Sequence, residues 1–197
     1  VSSSSSSSPP SLMVLSITGG GATVLKNFFS VSGVSQLVLE AIVPYHPKSL
    51  SKFLGSTQTY ACNSRTARAM AMESFKRAKN IAGSSSVLGL GCTAALRTTR
   101  ERRGKDRCHV CVQSHTASRT LDMELDQSLT RAQQEKQCRQ LIFVAIANTL
   151  SLETDYEGLN VKETSVEAPS LWKDLLEGNT NKTNDKKYAA VFPGSFA

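Results

Sequence analysis

Residues 12–29, LMVLSITGGGATVLKNFF, decide the fold. Positions 12–17 are an apolar run of strand length, 18–21 are Thr-Gly-Gly-Gly, and 22–29 return to apolar-rich sequence. That succession reads as strand, turn and helix, the opening of an α/β unit. Glycines at such a turn let backbone N–H groups approach an anion at the start of the helix. Ser16 and Thr18 would stand beside it as donors or as a nucleophile. An ordinary tight turn is the plainer reading of the same residues.

The pattern repeats along the chain. Residues 36–45, QLVLEAIVPY, read as a second strand closed by Pro44 and Pro47, with a short helix over 48–54. Asn63 or Ser64 can cap the stretch SRTARAMAMESFKRAKN, whose Ala67, Met70, Ala71, Ser74 and Ala78 share one small-residue face. Residues 87–91, VLGLG, read as a third strand with glycine at its exit. Residues 108–113 and 118–124 form two further strands and a hairpin, and Thr130 with Gln133 offers a capping box for a helix to Leu150. Strands and helices alternating in this way predict a three-layer α/β/α sandwich.

Composition narrows the class. The chain has 197 residues, 40% of them hydrophobic, enough for one core with residues to spare. No run of 18 apolar residues predicts a membrane span. The opening VSSSSSSSPP has nothing to bury and reads as a disordered tail over 1–11. Five cysteines without a secretory signal point to reduced thiols inside the cell, cytoplasmic, with an organelle left open by the Ser-rich start. From 153 to 187 the sequence turns polar and reads as a linker with a short helix near 169–177. A fresh apolar run then begins at Tyr188, so the domains expected are 12–152 and, after the linker, 188–197.

Charge concentrates in residues 89–107, GLGCTAALRTTRERRGKDR. Arg97, Arg100, Arg102, Arg103, Lys105 and Arg107 face only Glu101 and Asp106 there. Arginine binds phosphate bidentately, and α/β folds place ligands at loops that follow strands. A solvated loop explains the same residues. The absence of Phe, Tyr or Trp to stack on bases argues against nucleic acid. Cys108-His109-Val110-Cys111 has the spacing of a zinc or redox pair, but in a strand residues three apart point to opposite faces. Structural cysteines, and no metal, are expected.

Two stretches together, SITGGGATVLKNFFSVSGVSQLVLEAIVPYHPKSL and VLGLGCTAALRTTRERRGKDRCHVCVQS, resemble the CinA carboxyl-terminal domain family over about 12–150. Its bacterial members hydrolyse the amide of nicotinamide mononucleotide. The chain is more similar to the eukaryotic version, with G-L-G-x-T-x-x-L and a basic R-x-R-G segment, which precedes a nucleotidylyltransferase of the nicotinamide-mononucleotide adenylyltransferase type. The family's A-E-S-C-T-G-G falls on 14–20, keeping Ser16, Thr18, Gly19 and Gly20 but with Leu15 at the acidic position. Its Y-S-N-x-x-K falls on 45–50, keeping Tyr45 but with Leu50 at the lysine. Its G-A-V-S-E reads Tyr60-Ala61-Cys62-Asn63-Ser64, and its G-x-A-G-P loop reads Gly89-Leu90-Gly91-Cys92-Thr93.

The resemblance implies a retained scaffold and an eroded amidase. The catalytic positions it carries over are Ser16, Thr18 and Tyr45. A pyridine-mononucleotide-like ligand would meet Gly19, Gly20, Gly21, Gly89, Gly91, Thr93, Arg97, Arg100 and Arg103. The alternative is an active amidohydrolase, with Ser16 or Thr18 attacking and Lys48 or Lys52 as base. A homo-oligomer is compatible with either. The closing AAVFPGSFA resembles the start of the nucleotidylyltransferase motif F-P-G-S-F-N-P-x-H-x-G-H, with Gly194 and Ser195 in its phosphate turn. ATP and a divalent cation are expected for that domain alone, and no cofactor for the one before it.

Overall fold

The computed structural model describes residues 12–83, 86–99, 104–154 and 159–167. The expectations for 1–11, Arg100, Arg103, the helix near 169–177 and residues 188–197, with Gly194 and Ser195, lie outside these residues.

Strand β1 (Leu12–Thr18) leads through the glycine turn into helix α1 (Thr23–Phe29). A single 3-10 turn (Val34–Gln36) precedes β2 (Val38–Ile42). Helices α2 (Pro47–Phe53) and α3 (Ser64–Ala82) follow, then β3 (Val87–Ala95), β4 (Arg107–Gln113) and β5 (Ala117–Glu124). Helix α4 (Arg131–Thr149) and β6 (Val161–Glu167) complete the order. The six strands form one sheet in the order β2-β1-β3-β4-β5-β6. β1 is parallel to both β2 and β3, and every other pairing is antiparallel.

Local chemistry sets the helix ends. Asn63 Oδ1 accepts from Thr66 N at 2.9 Å at the start of α3, and Gly83 at φ 58° ends it. Thr130 and Gln133 form the anticipated capping box on α4. The Pro47 ring suits the first turn of α2, where its missing N–H is no loss.

The sheet lies between two helical layers. Met13, Leu15 and Ile17 of β1, Leu88, Leu90 and Cys92 of β3, and Val110 of β4 face α1 and α4, where Val24, Leu141 and Ile142 close the core. The opposite residues face α3: Val14 and Val87 pack with Ala78, and Cys111 packs with Ala67 and Ala71. The α/β/α sandwich read from the sequence is the architecture observed. Cys108 joins the α4 side and Cys111 the α3 side, as strand periodicity requires.

Three elements differ from the sequence reading. β3 does not end at Gly91 but runs on to Ala95, because Cys92 and Thr93 continue pairing with β1 and 92–95 with β4. β2 covers only Val38–Ile42 of the ten residues read as strand. The stretch from 153 onward is not all linker: Val161–Glu167 pairs with β5 from Ala117 to Met123. The boundary placed at 152 therefore moves to the far end of β6. Its sequence, VKETSVE, hides the strand because an edge strand needs little burial and gains from charges that discourage further pairing. Among the described residues, no helix is long and apolar enough to cross a membrane.

Candidate functional site at the glycine turn

The turn between β1 and α1 needs its glycines. Gly19 has φ +80°, and a Cβ there would lie 1.8 Å from the Ala94 carbonyl oxygen. The chain thus passes directly over the end of β3, and the amides of the turn point away from the sheet toward α4. Glu135 of α4 meets them. Its Oε2 accepts from Gly21 N at 2.7 Å and its Oε1 from Thr23 N at 3.0 Å. Of the donors a ligand phosphate would use at the turn, Gly21 N is engaged by an internal carboxylate, which has the charge and fork of such an anion.

The hydroxyls divide. Ser16 is fully buried; its Oγ donates to Leu90 O at 3.0 Å and accepts from Ser74 Oγ at 2.9 Å. It holds β1, β3 and α3 together and has no free approach. Thr18 sits at the end of β1, with its hydroxyl donating to Pro44 O at 3.1 Å. Thr18 and Tyr45 both line an open cleft of about 510 Å³, with Gly19, Gly20, Leu96, Arg131 and Glu135 among its walls. Tyr45 is 64% exposed at its rim. A volume of this size suits a small organic molecule.

The lysine position of the amidase motif is Leu50, a buried residue of α2, while Lys48 and Lys52 are exposed. His46 caps that helix, its Nδ1 accepting from Lys48 N at 3.2 Å. Gly89 and Gly91 are mid-strand packing positions rather than a ligand loop. A Cβ on Gly89 would lie 2.2 Å from Ala71 O, and one on Gly91 2.3 Å from Ala67 O, so both exist to let α3 approach. Thr93 is buried on the same face, opposite His109 of β4. Arg97 is tied down: its guanidinium donates to the carbonyls of Gln127 and Leu129, and its N–H to Gln134 Oε1 at 2.6 Å. Buried Gln134 also donates to Asp106 Oδ2 at 2.9 Å, so the visible parts of the basic loop are fixed onto α4.

The thiols of Cys62, Cys108 and Cys111 are poor nucleophiles. Burial pushes the Cys62 and Cys111 thiols up, and Cys108 is raised well above the ordinary range by hydrogen bonding with Cys138 and Cys92, then by burial. Protonated thiols of this kind are structural.

Glu135 and Arg131 were not legible as site residues, since nothing in a helix sequence says which loop, more than a hundred residues away, it will face. A polar row across the sheet was also missed: Thr18, Thr93, His109 and Asp122 are successive partners in β1, β3, β4 and β5. Strict alternation in CHVCVQ and SRTLDME carried part of that signal, because it places His109 and Asp122 on the α3 side.

No family model and no curated protein matches the chain in sequence. Solved structures do match in fold. The competence/damage inducible protein CihA from Agrobacterium tumefaciens superposes with a TM-score of 0.58 at 18% identity, over 70% of this chain and 86% of that one. A competence-damaged protein (CinA) superfamily protein from Escherichia coli gives 0.57 at 10% identity, over 70% and 80%. The competence damage-inducible protein A (ComA) from Klebsiella pneumoniae gives 0.57 at 11% identity, over 73% and 88%. At such identities the likeness establishes a CinA-like α/β fold for this chain.

Proposed function

We propose that this is a CinA-like small-molecule-binding domain that has lost the amidase chemistry, and that it serves pyridine nucleotide metabolism beside an attached nucleotidylyltransferase. One observation carries the loss of chemistry. The aligned serine, Ser16, is sealed with its hydroxyl shared between Leu90 O and Ser74, and the aligned base is the buried Leu50. A serine nucleophile needs an adjacent base and room for the carbonyl it attacks. Ser16 has neither.

What remains is the cleft. Tyr45 offers a ring face at its rim, Leu96 an apolar wall, and Arg131 a cation for an anionic group. A pyridine mononucleotide has those three complementary parts. Glu135 already takes the amides of Gly21 and Thr23, so in this reading the ligand phosphate is drawn to Arg131.

The test is to incubate the protein with nicotinamide mononucleotide and follow both ammonia and the melting midpoint. The expected result is no ammonia and a raised midpoint that is lost in Tyr45→Ala and Arg131→Ala. Ammonia release abolished by Thr18→Ala would establish the active amidohydrolase instead. No change in midpoint would remove the ligand.

A further inference from the structure

A second polar centre lies where α3 leaves its cap. Ser64 Oγ donates to Asp122 Oδ1 at 2.7 Å, and His109 Nδ1 lies 2.6 Å from the same oxygen. Burial works to raise the Asp122 pKa, but hydrogen bonds from His109 and Ser64, with the charges of His109 and Arg68, hold it below the ordinary range. An ionised oxygen only accepts, so His109 donates through Nδ1, and a neutral ring with its proton there has its lone pair on Nε2.

That Nε2 atom is enclosed and has no partner among the described residues. His115 Nε2 and Gln137 Oε1 share this condition, but only the ring of His109 is backed by a carboxylate. A buried acceptor left unmet in a native fold calls for an explanation, such as a ligand or water. Cys62, next to last in the largely exposed loop 54–63, reaches Thr93, the β3 partner of His109, and Arg107 of β4. Its carbonyl accepts from Arg107 Nε at 2.9 Å, and its thiol lies beside Thr93 and Arg107. Around the row, Arg68, Arg107, Lys105 and Lys162 outnumber Asp122 and Glu124, and Lys105 already pairs with Glu124 at 2.7 Å.

We propose that His109 and Asp122 are the acceptor pair of a ligand site at the start of α3, opened when the Cys62 end of the loop lifts, and that its ligand is a small organic anion bearing a hydroxyl group. The hydroxyl donates to Nε2, and Arg68 and Lys162 meet the anionic group. None of Ser64, His109 and Asp122 lines the cleft at the glycine turn, so this site stands or falls separately from that one.

Diethyl pyrocarbonate modifies an imidazole through its free lone pair, and peptide mapping reads His46, His109 and His115 one by one. Exposed His46 is the internal reference. In the full chain, His109 is expected to label more slowly than His46, and faster once Arg107→Ala frees the loop. Ribose 5-phosphate, which supplies both groups, should remove that gain, while ribose or inorganic phosphate alone should not. If Arg107→Ala fails to fold, Arg107→Lys keeps the charge and loses the fixed Nε donor. Labelling of His109 unaffected by ribose 5-phosphate, or a His109 left unlabelled in every variant, overturns the site. Equal protection by inorganic phosphate overturns the hydroxyl-bearing ligand.

Discussion

The two faces of the sheet are built from different materials. Toward α1 and α4 the contacts are large and apolar: Leu15, Ile17, Leu90, Val110, Leu141 and Ile142 are all buried. Toward α3 they are small: Gly89, Gly91, Ala67 and Ala71 bring helix and sheet backbones close, and Ser16 joins Ser74 at the same interface. A face of large side chains stabilises by area. A face of small ones holds hydroxyls and charges at fixed distances, and the polar row ending in His109 and Asp122 lies on it.

Substitutions can break that contrast, and the largest effect belongs to the close face. Gly91→Val puts a Cβ 2.3 Å from Ala67 O and 2.4 Å from Ala71 N, atoms of backbone that cannot rotate away. The loss should exceed about 3 kcal/mol, and the melting transition should lose its cooperativity. On the apolar face, Leu141→Ala should cost about 2–5 kcal/mol, read as a lower denaturant midpoint with unchanged slope. If Gly91→Val proved milder than Leu141→Ala, the helix would be less tightly seated than its backbone contacts imply.

Smaller effects sharpen the comparison. Gln134→Ala strands Arg97 N and one Asp106 oxygen contact at the head of α4, at about 1–3 kcal/mol by chemical denaturation. Ser16→Ala should cost about 1 kcal/mol and leave the rise in melting midpoint with nicotinamide mononucleotide unchanged, because the hydroxyl only bridges strands and helix.

Acid should act through the close face as well. The folded pKa of Asp122 lies below its ordinary value of 3.8, so its contribution is complete above that value and is lost as pH falls through the folded one. Asp122→Asn should therefore melt lower than the unsubstituted protein at neutral pH, and the gap should close below pH 3.8. A gap that persisted in acid would mean the side chain stabilises by shape and not by charge.

Much of this was legible in advance because it is local. The apolar run before Thr18-Gly19-Gly20-Gly21, the Thr130/Gln133 capping box and the small-residue face of SRTARAMAMESFKRAKN each depend on residues within a few positions, and each formed as read. Even the opposite placement of Cys108 and Cys111 followed from period two. β6 was not legible, because an edge strand with six of its seven residues exposed carries no burial pattern to find.

The sequence by itself determined the order of strands and helices as far as α4, the caps of α3 and α4 and which residues share a face, since backbone geometry repeats over two or four residues. Only the tertiary structure decided what those residues do. It sealed Ser16 beneath α3, turned Gly89 and Gly91 into packing positions, and carried the Glu135 carboxylate across 112 positions to the amides of the glycine turn. It also left His109 Nε2 without a partner among the described residues, beside Asp122. Those outcomes depend on which distant surfaces meet, and a contact between surfaces far apart in the chain leaves no mark in the spacing of either one.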